Sequence, residues 1–201
     1  MDTLSKTENR ILMAQAREAL RGKWGLAVGA TIVYLLVLIP VQLIPVLGFI
    51  AGILIGGPMA LGLAIFALAL ARKQYASVGQ IFEGFQKFGT ALGAYLLQMI
   101  FVLLWMLLLI IPGIIAALSY ALTYYIIAED SSIGPLEAIT KSKTMMRGNR
   151  WKLFCLAFRF FGWALLCVLT LGIGLFWLTP YIYVSFAKFY DDVKGQGAPA
   201  A

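Results

Sequence analysis

Polar and apolar positions fall in long blocks along this chain. No charged residue occurs between Trp24 and Ala71, and none between Phe88 and Ala128. A third block, from Leu153 to Ala187, is broken only by Arg159. A bilayer core about 30 Å thick is crossed by roughly 20 apolar residues at 1.5 Å of rise each. Each block is therefore long enough to cross twice, and each carries turn residues near its middle. Pro40, Pro45 and Gly48 divide the first into spans near 24–45 and 48–71. Pro112-Gly113 marks the turn of the second, and Leu171-Gly172-Ile173-Gly174 divides the third into 153–171 and 174–190. The pattern predicts an all-α membrane protein with six transmembrane helices in three hairpins.

Shorter polar stretches precede the hairpins. Residues 4–23 set Leu4, Ile11, Leu12 and Leu20 among Arg10, Arg17, Glu18 and Arg21. They predict an amphipathic helix, with Thr3 or Ser5 as cap, lying in the membrane interface or packed on the spans. Ser77-Val78-Gly79-Gln80 has the form of a capping box and opens a short helix with Ile81, Phe82 and Phe85 on its apolar side. In 129–152, Ser132 is the expected cap, Pro135 fits the first turn, and Gly148 stops the helix.

The order short helix, span, span thus recurs. Gly22-Lys23-Trp24, Gln86-Lys87-Phe88 and Asn149-Arg150-Trp151 return at spacings of about 64. Gly57-Pro58, Ser119-Tyr120 and Thr179-Pro180 return at about 61. One membrane domain, 1–194, is expected, with repeat units near 4–71, 72–130 and 131–192 and a disordered tail, 195–201. Each unit crosses twice, so the repeats are parallel.

Composition supports the membrane reading. The chain is 62% hydrophobic and 12% charged, against about 25% charged in a soluble domain. Its net charge of +7 sits beside apolar spans and points to anionic lipid head groups, with no nucleic-acid motif. Of sixteen Lys and Arg, fifteen lie in 1–23, 72–87, 129–152 or the C-terminal end, and the hairpin turns have none. Basic loops stay on the cytoplasmic side. Both termini are expected to be cytoplasmic, in a bacterial plasma (inner) membrane. The N-terminal stretch mixes charges throughout and lacks a signal peptide's apolar core.

Candidate chemistry is sparse. Arg159 is the charge inside a span, seven residues after Lys152 on the same helix face. Intramembrane charges are costly and point to function, yet Arg can also snorkel to the interface or pair with Glu129, Asp130, Asp191 or Asp192. Lys141, Lys143, Arg147, Arg150 and Lys152 cluster before the fifth span and, with Arg159, are candidate lipid or anion contacts. Gly48, Gly52 and Gly56 share one face and are candidate helix-packing positions, within the bundle or between copies in a homo-oligomer. Tyr120, Tyr124, Tyr125, Tyr181 and Tyr183, with Gln42 and Gln98, line a polar cavity or bond across helices. Cys155 and Cys167, about three turns apart on one segment, cannot bridge each other. The chain has no histidine, no acid cluster inside the spans and no paired cysteines. No catalytic residue, metal site or cofactor is expected, and an ion-coupled transporter would need an intramembrane carboxylate.

The stretch LLWMLLLIIPGIIAALSYALTYYIIAED, with Ser142-Lys143 to Met146-Arg147-Gly148, Phe160-Phe161-Gly162-Trp163 and Pro180-Tyr181 to Phe189-Tyr190, resembles the bacterial integral-membrane family called domain of unknown function 975. Ala16-Arg17 to Leu20-Arg21-Gly22 and Phe82-Glu83-Gly84-Phe85 fit it too. A looser similarity is to membrane domains of glycerophosphodiester phosphodiesterases, which implies a lipid-rich setting. The family supplies no catalytic residues to carry over. Arg159 stands where a small polar residue is expected before Phe160. The resulting expectation is a non-enzymatic, lipid-interacting or scaffolding membrane protein. The alternative is a transporter or lipid-translocating protein with a tyrosine-lined path.

Overall fold

The computed structural model describes residues 4–42 and 47–195, and all its regular elements are helices. In order they are α1 (Asn9–Leu20), α2 (Trp24–Gln42), α3 (Leu47–Ala71), a 3-10 helix (Val78–Lys87), α4 (Phe88–Leu108), α5 (Ile110–Tyr120), α6 (Thr123–Glu129), α7 (Pro135–Met145), α8 (Arg150–Leu169) and α9 (Leu175–Val193). A short helix is followed by two longer segments three times over. The turn around Pro45, the Thr3 cap, the side chain of Gln42 and the tail from Gln196 lie outside the described residues.

Among the described residues, four helical stretches are long and apolar enough to cross a membrane: Gly48–Ala71, Val78–Leu108, Ile110–Glu129 and Arg150–Leu169. A fifth arises if α1 and α2, which meet at 95°, count as one bent span. The corner is made at Gly22, whose φ of +78° is open to a residue without Cβ. The expected sixth span, α9, falls short because Lys188, Asp191 and Asp192 crowd its last turns.

Several boundaries differ from expectation. The central hairpin turns at Leu109, extended at φ −162°, three residues before Pro112. Proline lacks the N–H that the first turn of a helix leaves unbonded, so Pro112 sits inside that turn without cost. Ser5 does not cap α1, which opens after Glu8. Ser132 does not cap α7 either: Gly134 holds that position, with Pro135 next to it as expected. Gly148 does end that segment, at φ +80°. The capping box at Ser77 and Gln80 forms, but it opens a 3-10 helix that buries Ile81 and Gly84 and leaves Phe82 and Phe85 exposed.

The second segment of each hairpin forms the core. Of the apolar stretch in α3, 67% is buried, against 11% for Val78–Leu108 and 17% for α8. α3 packs on α6 and on α9. Tyr125 of α6 stacks on Tyr190 of α9 at 5.9 Å, and its hydroxyl donates to the Tyr183 carbonyl at 3.2 Å. The other elements surround this trio in rotation. α1 lies on α9, the 3-10 helix on α3, and α7 on α6. The first segments bridge neighbours: α2 touches α3 and α9, α4 touches α5 and α3, α8 touches α9 and α5.

Each core helix is locally irregular. Pro58 lies within α3 and Pro180 within α9. Between α5 and α6 the helix breaks at Ala121-Leu122, and the buried Ser142 hydroxyl of α7 fills the gap. It donates to the Ser119 carbonyl at 2.8 Å and accepts from the Leu122 N–H at 3.3 Å. A side chain inserted into the backbone ladder is a known cause of such breaks. Ser142→Ala would leave both groups buried and unbonded, and is expected to destabilise the protein by about 2 kcal/mol. Thermal melting in detergent checks this; a melt unchanged from wild type would show that the break is set elsewhere.

Candidate functional site

The core helices end in charges that answer one another. Arg72, just past α3, bonds Asp191 of α9 through Nε and Nη2 at 3.1 and 2.6 Å, and reaches Glu129 of α6 at 2.9 Å. These hydrogen bonds, the Asp191 pair foremost, raise the Arg72 pKa, so the guanidinium stays charged. Glu129 also accepts from Lys194 and from the Tyr190 hydroxyl, each at 2.6 Å. The neighbouring carboxylate, Asp192, is bonded by the Ser5 and Thr7 hydroxyls and lies 3.6 Å from Lys152. Asp130 is held below the usual carboxylate range by the Ser132 hydroxyl and backbone N–H.

The four acids that sequence reading offered to Arg159 are thus engaged by other groups. Arg159 is exposed and, among the described residues, has no ion pair. It lies nine residues into α8, about 14 Å along the axis. There it lines a cleft of about 380 Å³ with Arg10, Met13, Ala14 and Arg17 of α1, Trp163 of α8 and Tyr181 of α9. The Arg17 guanidinium stands 5.9 Å from the Tyr181 ring centroid, within cation–π range. The Tyr181 hydroxyl donates to the Met13 carbonyl at 3.2 Å, tying one wall to the other. Among the described residues, no acidic side chain lines the cleft. Guanidinium groups present a planar fork that matches phosphate and carboxylate oxygens, so the arrangement suits an oxyanion.

Arg10 and Arg17 did not stand out in the sequence. The available signal was their seven-residue spacing, which puts them on one helix face. Of the other expected contacts, Lys141, Lys143 and Arg147 are exposed. Lys152 is turned inward to Asp192 and Ser5 instead, because the segment before α1 folds back over α8. Arg150 is half-buried, and its Nε is buried without a bonded partner among the described residues. With Lys143 it lines a second cleft, about 220 Å³, against Trp105, Pro112, Ile115, Ala116, Ser119 and Tyr120. Here too a cation from a short helix, a tyrosine from a core helix and a tryptophan from a first segment come together.

Gly56 faces the Tyr95 ring within the bundle, while Gly48 is buried and Gly52 half-buried. Gln98 bonds across helices to the Tyr120 carbonyl at 3.3 Å. Tyr34 of α2 lies within electrostatic reach of Tyr95, Tyr124 and Tyr183, and Tyr124 within reach of Tyr95. Cys155 and Cys167 are free.

Residues 105–197 match the family described as Protein of unknown function (DUF975). The match makes this C-terminal segment similar to that family. No curated protein and no solved structure matches the chain, and the looser likeness to glycerophosphodiester phosphodiesterase membrane domains has no counterpart here. The matched segment supplies Arg159, Trp163 and Tyr181 to the basic cleft. Arg10 and Arg17 come from outside it.

Proposed function

We propose that this chain is a non-enzymatic, multi-pass membrane protein that recognises anionic lipid at its cytoplasmic face. In this reading α2 and α9 also cross, completing six spans in three repeated hairpins with both termini inside. The observation that carries it is the division of charge. Acids at the core helix ends are taken up by Arg72, Lys194 and Lys152, while Arg10, Arg17, Arg159, Lys141, Lys143 and Arg147 have no ion pair among the described residues. Such cations meet a negative leaflet with a favourable contribution of about 1 kcal/mol each, roughly fivefold per charge. The rotation of short helices around α3, α6 and α9 supports the repeat.

The purified chain, mixed with equal phosphatidylglycerol and phosphatidylcholine in detergent, should retain the anionic lipid preferentially by native mass spectrometry. Raising salt should weaken that preference, because exposed charges are screened within about 10 Å at 0.1 M. The triple variant Lys141→Gln, Lys143→Gln, Arg147→Gln should lower the preference by at least about fivefold. Equal retention of both lipids by the wild type would overturn the reading.

A second reading, lipid translocation, draws on the interior. The hydroxyls of Tyr124, one of the tyrosines above, and of Ser185 in α9 are buried without a bonded partner among the described residues. Movement of fluorescent lipid between leaflets of reconstituted vesicles would favour it over the first.

A further inference from the structure

The basic cleft does not end at Tyr181. A second, mostly apolar cleft of about 230 Å³ shares Arg17, Trp163 and Tyr181 with it and continues past Trp24, Cys167, Gly174, Trp177 and Leu178. The two form one groove with opposite characters at its ends. At one end Arg10, Arg17 and Arg159 line the wall, with no carboxylate among the described lining residues. At the other, tryptophan and aliphatic side chains line the wall up to the α8–α9 turn.

We propose that this groove seats one anionic glycerophospholipid, with its phosphate among Arg10, Arg17 and Arg159 and an acyl chain along Trp24, Cys167 and Trp177. The assignment rests on the lipid-binding reading above and narrows it to one built site. Charge complementarity names the head group, since an oxyanion answers three arginines that have no ion pair among the described residues. The apolar continuation names a lipid and not free phosphate, which would leave that half of the groove empty. Dimensions agree as well. From Arg159 to Cys167 the helix rises about 12 Å, close to the roughly 15 Å hydrocarbon half-thickness that one leaflet's chain fills. The walls are fixed: Tyr181 is bonded to α1 and faced by Arg17, so two of the three helices hold their spacing without the ligand. Arg159 lies too far along α8 to join the exposed Lys141–Arg147 surface, so the groove is distinct from the general basic collar.

The test uses the full chain in a non-ionic detergent, with added phosphatidylglycerol, phosphatidylcholine or inorganic phosphate as separate probes. Native mass spectrometry should show one phosphatidylglycerol per chain that survives collisional stripping. Arg159→Gln and Arg17→Gln should each lower its retention at least tenfold, with melting temperatures near wild type in the absence of lipid. Trp163→Ala should lower it through the apolar half, and provides the answer if an arginine variant fails to fold. The Lys141→Gln, Lys143→Gln, Arg147→Gln variant should keep this bound lipid while losing its wider anionic preference. Retention unchanged in Arg159→Gln and Trp163→Ala would overturn the site while leaving the collar reading intact. Loss of preference in no variant, with none in the wild type, would remove both. Thermal stabilisation by phosphate equal to that by phosphatidylglycerol would overturn the lipid assignment.

Discussion

Arg72→Gln is expected to be among the most damaging single changes at a charged position. Arg72 lies between two carboxylates on different core helices, and Asp191 is only 7% exposed. Removing one partner of a buried ion pair typically destabilises by 3–5 kcal/mol, because the remaining charge stays desolvated and unanswered. The Arg72 side chain is 25% exposed, so water can repair part of the loss, and about 3 kcal/mol is the expected size. Glu129 keeps Lys194 and Tyr190, which makes Asp191 the stranded group. Arg72→Gln with Asp191→Asn should therefore recover much of the stability lost by Arg72→Gln alone. Melting of the four proteins in one detergent gives the coupling directly. Additive losses would show that Arg72 does not act through Asp191.

Much of the layout was readable before any coordinates. Uncharged blocks announce helical hairpins because lipid forces backbone groups to bond within a segment. Glycines and prolines announce the turns because they change which backbone angles are accessible. The order of short and long helices, the Pro135 start and the Gly148 stop all follow from such local rules. What was not readable depends on partners far along the chain. The break at Leu122 is completed by Ser142, twenty residues later. The acids that could have paired with Arg159 are drawn away by Arg72, Lys152, Lys194 and Ser132, and Arg72 comes from the far end of α3. That competition left Arg159 free to meet Arg10 and Arg17, whose apolar neighbours alone suggested no more than an interfacial helix.

Glycine shows the same boundary in its sharpest form. The evenly spaced Gly48, Gly52 and Gly56 draw attention in the sequence, but the closest helix contacts are made at Gly62 and Gly84. A Cβ on Gly62 would lie 1.8 Å from the Ile81 carbonyl oxygen, and one on Gly84 would lie 1.9 Å from that of Pro58. Both obstacles are backbone, so no side-chain rotation relieves them. Small residues permit this approach where helices pack in lipid without a hydrophobic force between them. Overpacking costs about 1–3 kcal/mol where neighbours can shift, and more where they cannot. Gly62→Ala and Gly84→Ala are each expected to destabilise by about 3 kcal/mol or more and to lift the 3-10 helix from α3. At Gly56 the nearest atom is the tip of the Tyr95 ring, 3.2 Å away and able to move. Alanine also gains about 1 kcal/mol over glycine in a helix, so Gly56→Ala should be near neutral. Thermal melting ranks the three variants, and limited trypsin cleavage at Lys73 and Lys87 reports whether the 3-10 helix has come loose. If Gly84→Ala melts with the wild type and resists cleavage equally, the backbone contact between these helices is not what holds the 3-10 helix to α3.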